Sequence, residues 1–206
     1  MKKLTFLLTA LFAVTCVSAK VTLPKMFSDG MVMQREAKAN LWGTADASAT
    51  VKITTSWDNK TYKVKAGADG KWKTAVQTPK AGGPYKITLA DSEQTVLDNI
   101  LIGELWICSG QSNMEMPMKG FKNQPVEGAV EDILHSTDSK LRLFTVKRNS
   151  KLNPVDTVSG KWSEATPESG REFSATAYYF GRELRRMLDV PVGLIVTSWG
   201  GPDCAG

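Results

Sequence analysis

Gly103-Glu104-Leu105-Trp106-Ile107-Cys108-Ser109-Gly110-Gln111-Ser112-Asn113-Met114 is the stretch whose reading decides the fold. Residues 100–108 form a near-continuous apolar run, interrupted by Gly103 and Glu104, as expected of a strand buried on both faces. The run passes straight into a Ser-Gly-Gln-Ser-Asn turn, which sets Ser112 at the carboxyl end of the strand. Open α/β sheets present their reactive groups there. A serine with backbone N–H groups converging on it suits acyl transfer, because those donors stabilise the oxyanion that forms on attack. Such a serine needs a base, and the chain holds a single histidine, His135.

Downstream of this turn the pattern alternates between helix and strand. Residues 126–136 read as a short helix with Val130, Ile133 and Leu134 on one side, and 141–146 as a second strand. Residues 149–172, rich in Ser, Pro, Gly and charge, read as a long loop. Ser174 caps a helix in which Ala177, Gly181, Leu184 and Leu188 recur at helical spacing; Pro191 stops it, and 192–198 is a third buried strand. Alternation of this kind predicts a parallel sheet.

Upstream, the chain reads differently. Val51, Ile53, Thr55 and Trp57 alternate with polar neighbours up to the Asp58-Asn59-Lys60 turn. Tyr62, Val64 and Ala66 follow, then Trp72, Thr74 and Val76, then Tyr85, Ile87 and Leu89, each set separated by a turn. Evenly spaced strands of period 2 predict a small antiparallel β-sandwich. Trp57, Trp72 and Tyr85 lie on the alternating apolar face, where core filling is favoured over sugar binding. The fold class expected is therefore α/β plus all-β, with a sandwich over residues 20–98 followed by a parallel α/β domain over 99–206.

Residues 1–19 carry Lys2 and Lys3, an apolar core over 4–14 and a Val17-Ser18-Ala19 cleavage pattern. That describes a secretory signal peptide cleaved near Ala19, hence export to the periplasm or the extracellular space. Thr15 is a poor residue to precede a lipidated Cys16. No other segment approaches membrane-spanning length. The 26 basic and 21 acidic residues are scattered, with no basic stripe interleaved with aromatics, so no nucleic-acid partner is expected. Cys108 and Cys204 form neither a disulfide framework nor a metal cluster, and both read as free thiols; an oxidising compartment would permit a bridge between them.

The block Ser109-Gly110-Gln111-Ser112-Asn113-Met114, preceded by Gly103-Glu104-Leu105-Trp106, resembles the nucleophile block of the sialate O-acetylesterase family, serine esterases of the SGNH hydrolase type. The resemblance continues through Phe173-Ser174-Ala175, Tyr179-Phe180-Gly181-Arg182-Glu183-Leu184, Val190-Pro191-Val192-Gly193-Leu194-Ile195 and Ser198-Trp199-Gly200-Gly201. It reaches back to Phe27-Ser28-Asp29-Gly30-Met31-Val32-Met33-Gln34 and Ala81-Gly82-Gly83-Pro84-Tyr85. It implies a flavodoxin-like SGNH domain in which Ser112 is the nucleophile, supported in its turn by Gln111 and Asn113. Ser112 N–H and the Gly200-Gly201 turn would be the oxyanion donors. The substrate implied is an O-acetylated sugar, with no metal or organic cofactor, and nothing in the pattern sets the oligomeric state.

Two segments that the family places later, a Gly-Glu-Ser-Asn-type block and an Asp-x-x-His block, are not found after residue 201. The expectation is an incomplete catalytic domain with weak or no activity. Asp132-Ile133-Leu134-His135 has the Asp-x-x-His spacing, but on the first crossover helix, where the two would share a face and point away from the catalytic edge. In a 2-1-3-4-5 sheet the third strand, 192–196, would be left as an open edge. A non-catalytic carbohydrate-binding protein, using Trp57, Trp72 or Tyr85, and an acetyl-xylan-type esterase are the alternative functions.

Overall fold

The strand that ends at the serine turn is the longest in the computed structural model, which describes residues 20–153 and 155–199. In chain order the elements are β1 (Val32–Gln34), β2 (Lys38–Thr44), β3 (Thr50–Thr55), β4 (Thr61–Lys65), β5 (Lys71–Gln77), β6 (Gly82–Ala90) and β7 (Gln94–Cys108). Then come α1 (Ser112–Glu115), α2 (Ala129–Leu134), β8 (Asp138–Thr145), β9 (Trp162–Ala165), α3 (Pro167–Glu172), α4 (Ala175–Leu188) and β10 (Val192–Val196). The signal-peptide residues, Gly200, Gly201 and Cys204 lie outside the described residues.

The period-2 segments become β3 to β6. Asp58 shapes the first turn, its carboxylate accepting from Thr55 Oγ1 at 2.6 Å and from Lys60 N–H at 3.1 Å, and Asn59 supplies the positive φ of 55°. Val51, Ile53, Trp72, Val76, Ile87 and Leu89 are all buried in one core, between the β2–β5 pair and the strands β3, β6 and β7. Trp57 donates its indole N–H to Gln77 O at 3.0 Å and meets Tyr85 edge-on. These rings are structural members of the core, as their apolar-face position indicates.

The two halves are not built on separate sheets. β6 pairs antiparallel with β7 as far as Ile102, and β10 pairs parallel with it from Glu104 onward. One 15-residue strand therefore carries both, in a mixed sheet of order β4-β3-β6-β7-β10-β8-β9, with β1 alongside β7. The division at residues 98/99 falls inside this strand.

The expected strand order is also corrected. β10 lies between β7 and β8 and pairs with both, so 192–196 is not an open edge. All five of its residues are buried, and a strand apolar on both faces belongs at the centre of a sheet. Glycine permits the packing on each side of it. A Cβ at Gly193 would stand 2.6 Å from Val32 Cβ, and one at Gly181 of α4 would stand 2.5 Å from Leu194 Cδ1.

In the parallel half, an unpaired flank lies instead on β7. Its even residues bond towards β10, as Glu104 N–H does to Pro191 O, while Leu101 N–H and Gly103 O bond towards β1. Where β1 stops, Gln34 Oε1 accepts Leu105 N–H at 3.0 Å, and Ile107, 70% exposed, has no ladder partner on that side among the described residues.

The long loop expected over 149–172 is half ordered structure. Trp162 of β9 is buried and donates its indole N–H to Met26 O at 2.8 Å. α3 starts on a capping box between Thr166 and Ser169 with Pro167 at its first position, a signal present in the sequence and hidden by its polar composition. The helix expected over 126–136 shortens to α2. Gly128, at φ 73°, precedes it, Ala129 is its buried residue, and Val130 and Leu134 face solvent. α4 begins as expected, with Ser174 Oγ accepting from Ala177 N–H at 3.2 Å.

Candidate active site

Parallel register sets Cys108, Val196 and Thr145 side by side, so the carboxyl ends of β7, β10 and β8 form one edge. Two further bonds carry this pairing past the strands: Thr197 N–H to Cys108 O at 2.9 Å, and Trp199 N–H to Gly110 O at 3.0 Å. The Ser-Gly-Gln turn and the Thr-Ser-Trp segment therefore run alongside each other. Gly200 and Gly201, expected to follow as oxyanion donors, are outside the described residues.

Ser112 opens α1, a single turn closed by Glu115 N–H to Gln111 O and Met116 N–H to Ser112 O, and then stopped by Pro117. α4 fastens this turn from behind. Thr176 Oγ1 donates to Asn113 O at 3.0 Å, Ser174 Oγ to Met114 Sδ at 3.5 Å, and Ala175 N–H to Met116 O at 2.9 Å. Gln111 and Asn113 thus support the turn through their carbonyls, while their side chains are exposed. A Cβ at Gly110 would come within 3.1 Å of Met114 Cβ, a tight contact that the turn relieves by carrying glycine there. Ser112 is exposed, and its hydroxyl has no hydrogen-bond partner among the described residues.

His135 is far from this edge. It follows α2 and precedes the amino end of β8, and eight residues of strand span about 26 Å. Its Nδ1 lies 2.9 Å from Glu131 O and 3.2 Å from Glu131 Oε1. Asp132 is hydrogen-bonded to α4 rather than to His135: Tyr179 Oη donates to its carboxylate at 2.8 Å and Arg182 Nη1 at 2.6 Å. The Tyr179 hydrogen bond, followed by Arg182, holds the Asp132 carboxyl below its ordinary value against the opposing effect of burial. Burial, then Asp132, pushes the Tyr179 phenol up to about 12.

A group whose folded pKa is depressed stabilises the protein above its unfolded pKa and loses that contribution as pH falls through the folded value. The stability difference between this chain and Asp132→Asn is therefore expected to be flat above about pH 5, about 1 kcal/mol after solvent screening, and to shrink progressively as the pH falls below the ordinary carboxylate range. Urea unfolding at both ends of that range checks it; an undiminished difference in acid would exclude the linkage.

Arg148 and Glu115, at this edge, were not singled out from the sequence. Arg148, just past β8, forms an ion pair with Glu115 of α1, and its guanidinium lies 5.8 Å from the Trp199 ring centroid. It links the loops that follow all three strands. A cavity of about 610 Å³ lies beside it, lined in part by Lys147, Arg148, Lys151, Thr197, Ser198 and Trp199. A second, of about 480 Å³, shares Lys147, Arg148 and Ser198 and is walled by Glu115 and Ser174. The available signal was a Lys-Arg pair directly after a strand of the α/β half, where such sheets bind ligands. Cys108 is a buried free thiol, its pKa raised by desolvation. No group of three metal-ligating side chains occurs among the described residues, and none of their helices is long and apolar enough to cross a membrane.

No protein-family model matches the chain. It is 30% identical over 190 residues to a sialate O-acetylesterase of Homo sapiens, covering 84% of this chain and 36% of that protein. It is 31% identical over 189 residues to a sialate O-acetylesterase of Rattus norvegicus, covering 83% and 34%. Among solved structures it is similar to a carbohydrate acetylesterase from Xanthomonas citri, with a TM-score of 0.81 and 32% identity, over 88% of this chain and 41% of that one. The chain thus spans about a third of the length of these curated relatives.

Proposed function

We propose, from the premise that the matched part of the chain belongs to the sialate O-acetylesterase family, that it carries the nucleophile portion of an exported carbohydrate esterase. Ser112 Oγ attacks the acetyl carbonyl of an O-acetylated sugar. The new Oγ–C bond and the breaking of the sugar ester bond give an acetyl-enzyme, the serine proton passing to the leaving sugar hydroxyl. Water then releases acetate. Ser112 N–H and the Gly200-Gly201 turn would stabilise the oxyanion, each donor worth on the order of 3 kcal/mol. The observation that carries this reading is the placement of Ser112, exposed on a turn fastened to α4, with residues 197–199 bonded along the same turn. The cationic lining of Lys147, Arg148 and Lys151 suits the carboxylate of a sialic acid better than a neutral acetyl-xylan. Residues 1–19 support export.

Because no histidine stands at this edge among the described residues, acyl transfer has no base there to complete deacylation. Incubation with an activated acetyl ester is expected to leave a slowly formed acetyl group on Ser112, detectable as a mass increase on its peptide. If Ser109 or Ser198 is acetylated as fast as Ser112, the nucleophile assignment fails.

A further inference from the structure

The outer face of the β2–β5 pair carries a cavity that the catalytic edge does not use. Register sets Trp42 opposite Lys73 and Thr44 opposite Lys71, and alternation puts these four on the face away from the buried Leu41 and Trp72. Thr22 and Thr44 exchange two backbone bonds of 2.9 Å, which lays the segment 22–24 along the edge of β2. From the connection between β8 and β9, Asp156 reaches across. Its carboxylate lies 2.5 Å from Lys71 Nζ, and its carbonyl accepts the Trp42 indole N–H at 3.5 Å. The space enclosed is about 590 Å³, within the range of small-molecule sites.

The lining is specific in its chemistry. Trp42 is half-buried, and an edge-on contact with Phe27 at 4.5 Å fixes the plane of its ring. Leu23 and Pro24 extend the apolar wall. Lys73 is exposed and has no carboxylate partner among the described residues, in contrast to Lys71. An oriented aromatic ring, a free ammonium and the carboxylate of Asp156 complement a pyranose ring that bears both hydroxyls and a negative charge.

We infer that this face is a binding site for an anionic sugar residue, separate from the Ser112 edge. Thr157 lines this cavity and also the one beside Ser198, so the two cavities are neighbours. The site does not depend on the esterase reading, because its occupancy is measured without turnover.

The test uses the full chain carrying Ser112→Ala, labelled with ¹⁵N at the tryptophan indoles and titrated with 3′-sialyllactose, trigalacturonate and lactose. The Trp42 cross-peak, identified by its loss in Trp42→Phe, is expected to shift with both acidic probes, and lactose is expected to bind more weakly. Trp42→Ala should weaken acidic binding about tenfold. Lys73→Gln, at an exposed position that leaves the fold alone, should weaken it about threefold while leaving lactose unchanged. An unmoved Trp42 cross-peak, equal affinity for lactose and sialyllactose, or an unaltered affinity in Lys73→Gln would overturn the inference. Failure of Ser112 to become acetylated would leave it standing.

Discussion

The polypeptide of residues 1–206 is expected to hydrolyse p-nitrophenyl acetate about 10⁶-fold more slowly than a serine esterase whose nucleophile is paired with a histidine, the loss that follows removal of the base from such a site. The geometry gives the reason. The only histidine in the sequence is His135, which sits at the amino end of β8, opposite the edge where Ser112 stands, and is held against Glu131. The nearby Glu115 is ion-paired with Arg148. An unassisted serine hydroxyl is a poor nucleophile, and oxyanion donors alone sustain about 10³–10⁴-fold acceleration over water. Steady-state kinetics of the chain, Ser112→Ala and His135→Ala settle the matter together. Ser112→Ala should abolish acetylation at that position but leave most of this residual acceleration, since losses within such a unit are not additive, and His135→Ala should change nothing. A rate near that of complete enzymes, abolished by His135→Ala, would show that the base is His135 after all.

Gly103→Ala is expected to destabilise the chain by about 3 kcal/mol, near the top of the range for overpacking in a core. Gly103 is where β7 leaves β6 and takes β10 as its neighbour. A methyl group there would collide with the Pro191 carbonyl oxygen and lie 2.7 Å from its carbonyl carbon. That oxygen accepts the Glu104 N–H at 2.9 Å, the bond that opens the parallel ladder. The obstacle is backbone, so it cannot be relieved by a rotamer change, and β10 must move off β7. Urea unfolding followed by tryptophan fluorescence measures the effect, with the exposed Val130→Ala as a near-neutral reference. A change within about 0.5 kcal/mol for Gly103→Ala would mean that the two strands separate there at little cost.

Much of this architecture can be read directly from local pattern. Val51, Ile53, Trp72, Val76, Ile87 and Leu89 lie at period 2 and are all buried, because alternation is a property of each strand by itself. Ser174 caps α4 for an equally local reason, the need of its first N–H groups for an acceptor. The shorter helix α2 and the ordered segment β9–α3 were obscured by the opposite circumstance. Val130 and Leu134 imitate an apolar face that nothing covers, and the polar composition of residues 149–172 hides the Thr166–Ser169 capping box.

The site divides along the same line. The turn that presents Ser112 is legible in residues 103–114, as an apolar strand running into a tight polar turn closed by Pro117. The ion pair of Arg148 with Glu115 and the capture of Asp132 by Tyr179 and Arg182 join residues 33 to 50 positions apart, and no spacing rule encodes them. The sequence by itself determined the strands, the caps and the exposed serine, since these follow from torsional preference, period and turn chemistry within a few residues. Only the tertiary structure decided that β7 serves both halves, that β10 takes the central place, and that His135 stands at the far edge. Strand partners are chosen by nonlocal burial, and the strand most apolar on both faces gains most from having a neighbour on each side.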